Sequence, residues 1–293
     1  MKAAIVVQGG CGPVPEPERP QRDAICESAT QLGFRILQKG GTALDACEAA
    51  VIALEDSLVL NAGLGSYRQA DGMVRRDASI MTSDLRAGSI AQVPFLKNPI
   101  RLARYLLEQD AHIMLTGHEA FHLGLRLGLD CCFTATDAKN RYWKDHLTDA
   151  CLSLDYAAMA TEWKAANPRL GTVGCVCIDR EGHLAAGTST GGTGQVYPGR
   201  VGDTPIIGAG TYCMSQAAVS MTGTGERIMV HLSAKTLCDY VKMAKELDEA
   251  ARLVLAELQQ ECKGSAGLIA LDSKGRTISV KNTAYMATAE RRE

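Results

Sequence analysis

Leu170-Gly171-Thr172-Val173-Gly174-Cys175-Val176-Cys177-Ile178 begins the stretch whose reading decides the fold, and that stretch runs on to Asp203. Thr172 follows a glycine and heads an apolar, β-rich run that ends at Ile178. A turn signal, Asp179-Arg180-Glu181-Gly182, separates it from a second apolar run ending in Thr188-Ser189-Thr190-Gly191-Gly192. Pro198-Gly199-Arg200-Val201-Gly202-Asp203 follows. Hydroxyls, glycines, one arginine and one aspartate are thus gathered at the ends of two strands. The pattern suits a threonine nucleophile whose base is its own amine, once the bond before it is cut.

Outward from this stretch, composition narrows the field. A chain of 293 residues makes one large domain or two ordinary ones. With 46% hydrophobic and 22% charged residues it affords a sizeable core, and disorder is not expected. A net charge of −2 gives no electrostatic reason for nucleic acid or an anionic membrane as partner. Only 5% of residues are aromatic, which disfavours base stacking as well. The expected partner is a small molecule or a dipeptide.

Met1-Lys2-Ala3-Ala4-Ile5-Val6-Val7 starts like a signal peptide, but Gln8 and Gly9 end the apolar run. A signal core needs roughly 7–15 apolar residues. The segment reads as a first strand. Eleven cysteines form no Cys-x-x-Cys pair, an odd number for a disulfide framework, so reduced thiols and a cytoplasmic location are expected. Cys175 and Cys177 alternate with Val176 and project to one face of their strand.

The chain alternates blocks: strand, two helices, strands, helices, strands, helices, strands. Ile25, Ala29, Leu32 and Ile36 predict one face of a first helix, stopped by Gly40-Gly41. Thr42 and Asp45 resemble a capping box, followed by a stripe of Leu44, Cys47, Val51, Leu54 and Leu58. Ala70-Asp71-Gly72, Asp179 to Gly182 and Asp272-Ser273-Lys274-Gly275 each predict a hairpin. Asn98 to Leu107 and Asp248 to Gln260 are further amphipathic helices. Sheets packed between helix layers follow from this order. From about Cys131 to Gly171 the chain is largely polar, with Thr134 to Asp149 rich in Thr, Asp and Lys, although Asp155 to Trp163 has helical character. This part reads as a mobile connector that frees the bond before Thr172 to be strained.

An ordered set of motifs now spans nearly the whole chain. It comprises Gly9-Gly10; Leu54-Glu55-Asp56 through Asn61-Ala62-Gly63-x-Gly65-Ser66; Asp77-Ala78-Ser79-Ile80-Met81; and Asn98-Pro99. It continues with Gly171-Thr172-Val173-Gly174, the runs Thr188 to Gly192 and Gly199 to Asp203, Gly208-Ala209-Gly210, Thr222-Gly223-Thr224-Gly225-Glu226 and Asn282-Thr283. The sequence resembles the plant-type asparaginase and isoaspartyl aminopeptidase family of N-terminal nucleophile hydrolases. That resemblance implies an αββα four-layer sandwich and self-cleavage between Gly171 and Thr172. It divides the chain into an α-subunit, 1–171, and a β-subunit, 172–293, which remain one structural domain and form an (αβ)2 homo-oligomer.

The chemistry of the residues agrees. An N-terminal amine has a pKa of about 7.7–8.0, near working pH, whereas a lysine near 10.4 stays protonated. A threonine opening a strand is otherwise merely a good β-former; the connector before it and the motifs after it favour the nucleophile. By resemblance, Thr190 tunes Thr172, Arg200 binds a substrate α-carboxylate and Asp203 its α-ammonium. Thr222 and Gly223 form the oxyanion hole, Gly225 contacts substrate through its backbone, and Asn61 helps to place Thr172. An Arg-x-x-Asp spacing is more commonly a solvated surface ion pair, and Thr-Gly-x-Gly alone is only a tight loop. The resemblance also implies no catalytic cofactor, and a structural sodium held by backbone carbonyls of Leu54, Glu55, Ser57, Leu60, Ala62 and Leu64.

Departures from the family pattern are local. Gln8 stands where relatives usually carry histidine, which bears on self-cleavage, and Cys11 replaces a customary alanine. Thr211-Tyr212-Cys213-Met214-Ser215 differs from the usual continuation after Gly210 and is expected to alter a pocket wall, opening the exit side to isoaspartyl dipeptides. The activity implied is hydrolysis of L-asparagine and β-aspartyl dipeptides through a threonine acyl-enzyme. Glycosylasparaginase and threonine endopeptidase activities share that mechanism, and Gly192 in place of asparagine disfavours the former. An unprocessed pseudoenzyme that binds aspartate-like ligands is the alternative from another class, with Gln8 as its support.

Overall fold

The computed structural model describes residues 2–133, 144, 148–165 and 171–293. Its strands are β1 (Ala4–Gly12), β2 (Arg75–Thr82), β3 (Ala87–Pro94), β4 (Met114–Thr116), β5 (Val173–Ile178), β6 (Leu184–Thr190), β7 (Thr211–Met214), β8 (Ala217–Gly223), β9 (Ala266–Asp272), β10 (Thr277–Lys281) and β11 (Tyr285–Arg292). The helices are α1 (Arg19–Gln38), α2 (Ala43–Glu55), α3 (Pro99–Gln109), α4 (Gly117–Arg126), α5 (Asp149–Ser153), α6 (Tyr156–Ala165), α7 (Gly225–His231), α8 (Ser233–Lys242) and α9 (Leu247–Cys262).

Strand β5 shows why the sandwich forms. Its alternate residues Val173, Cys175 and Cys177 join the core beneath α1, α2 and α3, while Val176 and Ile178 join a different core. A strand buried on both faces reads as one continuous apolar run, and Val173 to Ile178 does so. β1 divides in the same way: Ala3, Ile5 and Val7 face the helices, Ala4 and Val6 the opposite side. The first sheet has strand order β11-β1-β5-β6-β2-β3-β4 and the second β10-β9-β8-β7. Ala4, Val6, Val176, Ile178, Ile269 and Leu271 lie between them, and α7, α8 and α9 cover the outer face of the second sheet. Three apolar cores separate four layers, each large buried side chain contributing ~1.5–3 kcal/mol. This is the expected αββα sandwich.

Local signals mostly hold. α1 ends in a Schellman arrangement, with Gly41 N donating to Ile36 O at 2.9 Å and Gly40 at φ 82°. Thr42 caps α2, its Oγ1 accepting from Asp45 N at 3.1 Å. The hairpins at Asp179–Gly182 and Asp272–Gly275 form, and Tyr156–Ala165 is helical as its pattern predicts. Three expectations need correction. The buried face of α1 is Cys26, Ala29, Thr30, Gly33, Phe34 and Leu37, with Ile25 and Ile36 packed at its edges as expected and only Leu32 of the expected face exposed. Small residues at 29 and 33 let the helix approach α2 and β1 closely, which turns the longer side chains to the flanks. Leu58 lies beyond the end of α2 and is exposed. Ala70-Asp71-Gly72 is a turn with no strand before it. The expected connector, about 131–171, falls partly on 134–143, 145–147 and 166–170, outside the described residues.

All eleven cysteines are free thiols. Among the described residues no helix is long and apolar enough to cross a membrane.

Candidate active site

Thr172 stands just before β5, where the two sheets part, and is 7% exposed. β6 runs antiparallel beside β5, so Thr190 at its end comes level with Thr172. Thr172 Oγ1 lies 3.3 Å from Thr190 Oγ1, and Thr190 Oγ1 lies 3.4 Å from the carbonyl oxygen of Gly171. The Thr190 oxygen also accepts from Gly192 N at 3.0 Å, which polarises its hydroxyl. From the second sheet, Thr222 Oγ1 accepts from Thr172 N at 3.4 Å and from Cys11 N at 3.3 Å. The Gly171–Thr172 peptide is therefore bracketed by threonine hydroxyls from both sheets.

The other side of that peptide meets the end of β1. Gly10, at φ 94°, lies so close that a Cβ there would be 2.8 Å from Gly171 Cα and 3.3 Å from Thr172 N. The ladder between β1 and β11 shifts register between Gln8 and Cys11, a bulge that bends Gly9-Gly10 toward the peptide. Gln8 is fully buried; its Oε1 accepts from Gly10 N at 2.6 Å and its Nε2 finds no partner among the described residues. Cys11 Sγ donates to Thr222 O at 3.3 Å, and burial pushes its thiol up to about 11.

A small cleft opens on this peptide, lined by Gly171, Thr172, Thr190, Arg200, Asp203 and Gly223 among others. Thr222, Asn61 and Gly225 stand immediately behind that lining. Asn61 O accepts from Gly191 N at 3.0 Å, its Oδ1 from Tyr67 N at 3.0 Å, and its Nδ2 donates to Gly192 O. A Cβ on Gly225 would fall 2.8 Å from both Arg200 NH2 and Asp203 Oδ1, so only glycine admits these two side chains so near.

Arg200 and Asp203 are no solvated surface pair. Asp203 is 4% exposed, and Arg200 donates instead to Glu226 Oε1, from Nε and NH2, each at 2.8 Å. Burial pushes the Asp203 carboxyl up to about 7 despite the Arg200 charge, and it pushes Asp77, behind Arg200, up to about 6. Burial works against Glu226 too, yet its bond to Arg200 holds its carboxyl below the ordinary value. One guanidinium thus faces three acids. The surplus negative charge is what an ammonium group would neutralise.

Glu226 and Thr193, a further cleft residue, escaped assignment from sequence. Glu226 had a signal, an acid in the first turn of a helix that directly follows Thr222-Gly223. The segment Thr211 to Ser215 needs correction, since it forms no part of the cleft lining. Thr211 Oγ1 instead accepts from Ser79 Oγ at 2.7 Å and bonds Thr188, fully buried between the sheets. Tyr212 lies beneath Lys235, and Cys213 is core. Edge-strand pairing places Thr211 between the sheets and Cys213 in the core, away from the cleft lining.

The loop after α2 curls its carbonyls inward. A Cβ on Gly65 would lie 1.9 Å from Leu60 O and 2.8 Å from Ser57 O, and one on Gly63 would lie 2.3 Å from Glu55 O. Leu54 O and Ala62 O already accept from Ser57 N and Gly65 N. Neutral oxygens converging in this way fit a hard cation. Side chains also secure the loop. Arg76 Nε donates to Gly63 O at 2.7 Å, and Glu55 Oε1 accepts from Ser189 Oγ at 2.6 Å and Ile100 N at 3.1 Å. Burial pushes the Glu55 carboxyl up to about 8.

The four layers, with a threonine heading a central strand at the mouth of the cleft, define the class: this is the sandwich of the N-terminal nucleophile hydrolases. A family model described as asparaginase matches residues 1–293. The isoaspartyl peptidase/L-asparaginase of Rattus norvegicus is 39% identical over 290 residues, 97% of this chain and 85% of that protein. That of Homo sapiens is 36% identical over 288 residues, covering 95% and 90%. The plant-type L-asparaginase of Thermococcus kodakarensis is 37% identical over 299 residues, covering 98% and 95%. The chain belongs to the asparaginase family.

Proposed function

We propose that this protein is a self-cleaving amidohydrolase of L-asparagine and β-aspartyl dipeptides with Thr172 as nucleophile. One observation carries the reading: Thr172 Oγ1 and the Gly171 carbonyl both meet Thr190, inside a cleft that also holds Arg200 and Asp203. In the intact chain, Thr172 Oγ attacks the Gly171 carbonyl carbon, passing its proton by way of Thr190. The C–N bond breaks as the Thr172 nitrogen takes up a proton, and water hydrolyses the resulting ester. The α-amine so released is the base for turnover.

In turnover Arg200 takes the substrate α-carboxylate and Asp203 the α-ammonium, which sets the β-carbonyl against Thr172. Attack forms a β-aspartyl ester and expels ammonia or an amino acid; the oxyanion is met by Thr222 and Gly223, and water then frees aspartate. Backbone carbonyls of Leu54, Glu55, Ser57, Leu60, Ala62 and Leu64 would hold a sodium ion, whose charge would pin the loop carrying Asn61.

Intact-mass measurement of the purified protein tests this. Two fragments are expected, the second beginning at Thr172, and Thr172→Ala should stay a single chain of 31.2 kDa. Wild type that stays uncleaved and turns over neither substrate would leave only an aspartate-binding protein. Cleavage of Thr172→Ala at the same bond would assign the cut to a contaminating protease.

A further inference from the structure

We infer that Gln92, held by Asp77 and Gln69, is a positioning residue that sets the register of Arg200 in the cleft. The inference rests on Arg200 being the α-carboxylate ligand. Gln92 interrupts the apolar run Ile90-Ala91-Gln92-Val93 of β3 and takes φ 56°, the left-handed region that side chains other than glycine avoid. An outlier of this kind persists where the surroundings over-determine it. Here they do: the β2–β3 ladder shifts register between Arg76 and Ala78, and Gln92 N donates to Asp77 Oδ1 at 2.6 Å. The bulge turns the Gln92 side chain along the sheet toward the Arg200 turn, where its Nε2 donates to Arg200 O at 2.6 Å.

The polarity of this contact is settled by a chain of groups behind it. Arg75 carries only donors; it pairs with Asp71 at 2.8 Å and donates to Gln69 Oε1 at 2.5 Å. The same Gln69 oxygen accepts from Gly199 N at 3.2 Å. Gln69 must therefore present its amide nitrogen outward, and it donates to Gln92 Oε1 at 2.9 Å. Gln92 is left with its nitrogen for the Arg200 carbonyl. Two glutamines thus hold Gly199 N and Arg200 O, the two outer ends of the Gly199-Arg200 backbone, while Glu226 holds the guanidinium at the far end of the Arg200 side chain. Neither glutamine lines the cleft. Their effect on substrate passes through Arg200.

Gln92→Asn is the test, because asparagine tolerates the left-handed backbone yet is one methylene too short to reach Arg200. KM for L-asparagine and the inhibition constant of L-aspartate should both rise about ten-fold, as for loss of one well-made hydrogen bond at the clamp. Expected alongside are kcat within about three-fold, complete self-cleavage and an unchanged melting temperature. Gln69→Met, which leaves the β3 backbone alone, should move both constants the same way to a smaller extent, and it decides the matter should Gln92→Asn fold poorly. Arg200→Lys runs in parallel. If Arg200→Lys raises KM while both glutamine variants leave it unchanged, Gln92 has no positioning role and the clamp stands. If Arg200→Lys also changes nothing, the clamp itself is wrong. A parallel loss of kcat, self-cleavage and melting temperature in both glutamine variants would show a merely structural role and overturn the inference.

Discussion

Asp203 is a carboxyl group placed where water scarcely reaches it, and its titration has consequences for stability as well as binding. In an unfolded chain it would titrate near 3.9, whereas burial in the cleft moves it up to about 7. Between those values the folded protein holds a proton that the unfolded chain has released. The slope of stability against pH is then negative: the protein loses stability as pH rises from 4 through 7, and the cost is complete above 7. Asp203→Asn removes that cost. Thermal melts should show the variant gaining on wild type as pH rises from 4 to 8, by ~2–4 °C for each ~1 kcal/mol relieved. The same variant should lose turnover of L-asparagine. A melting difference that is flat with pH would contradict the buried, proton-holding state of Asp203.

At the scale of elements, the cleft depends on how closely helices seat on the first sheet. α3 packs on β3 at Gly88, where a Cβ would lie 1.9 Å from Ala103 O and 2.6 Å from Leu107 N. Backbone atoms cannot swing aside as side chains do, so Gly88→Ala must push the helix off the sheet. The N-terminal end of that helix holds Glu55 through Ile100 N, and Glu55 holds Ser189 beside Thr190. Denaturant unfolding should show Gly88→Ala destabilised by more than ~2 kcal/mol, with slower self-cleavage in whatever fraction folds. Full stability in this variant would mean that α3 sits farther from β3 than described.

For the whole molecule, strand order dictates what the proposed cleavage can and cannot do. β1, from the first segment, lies between β11 and β5, both from the second, and β2 pairs with β6 across the same divide. Cutting before Thr172 leaves every one of these ladders intact, and the core between the sheets mixes residues from both segments. The two fragments should therefore elute together in native size-exclusion chromatography and part only in denaturant. Separation under native conditions would refute this account of the sandwich.

The amino-acid sequence by itself determined the strand behind Thr172, the two tight hairpins, the helix cap at Thr42 and the ordered motifs that mark the family, because each depends on near neighbours in the chain. It also placed Thr172, Thr190, Arg200 and Asp203 on one stretch. Only the tertiary structure decided what surrounds them. Thr222 meets Thr172 across 50 residues and Gln92 meets Arg200 across 108, and no local pattern encodes contacts made by the stacking of two sheets. Leu32 alone of the face expected for α1 is exposed, for a related reason: small residues seat a helix more closely than bulky apolar ones, and periodicity weighs the bulky ones more. Thr211 to Ser215 likewise proved to be an edge strand, because position after a glycine motif does not say which way a β-strand turns its side chains; pairing with β8 does.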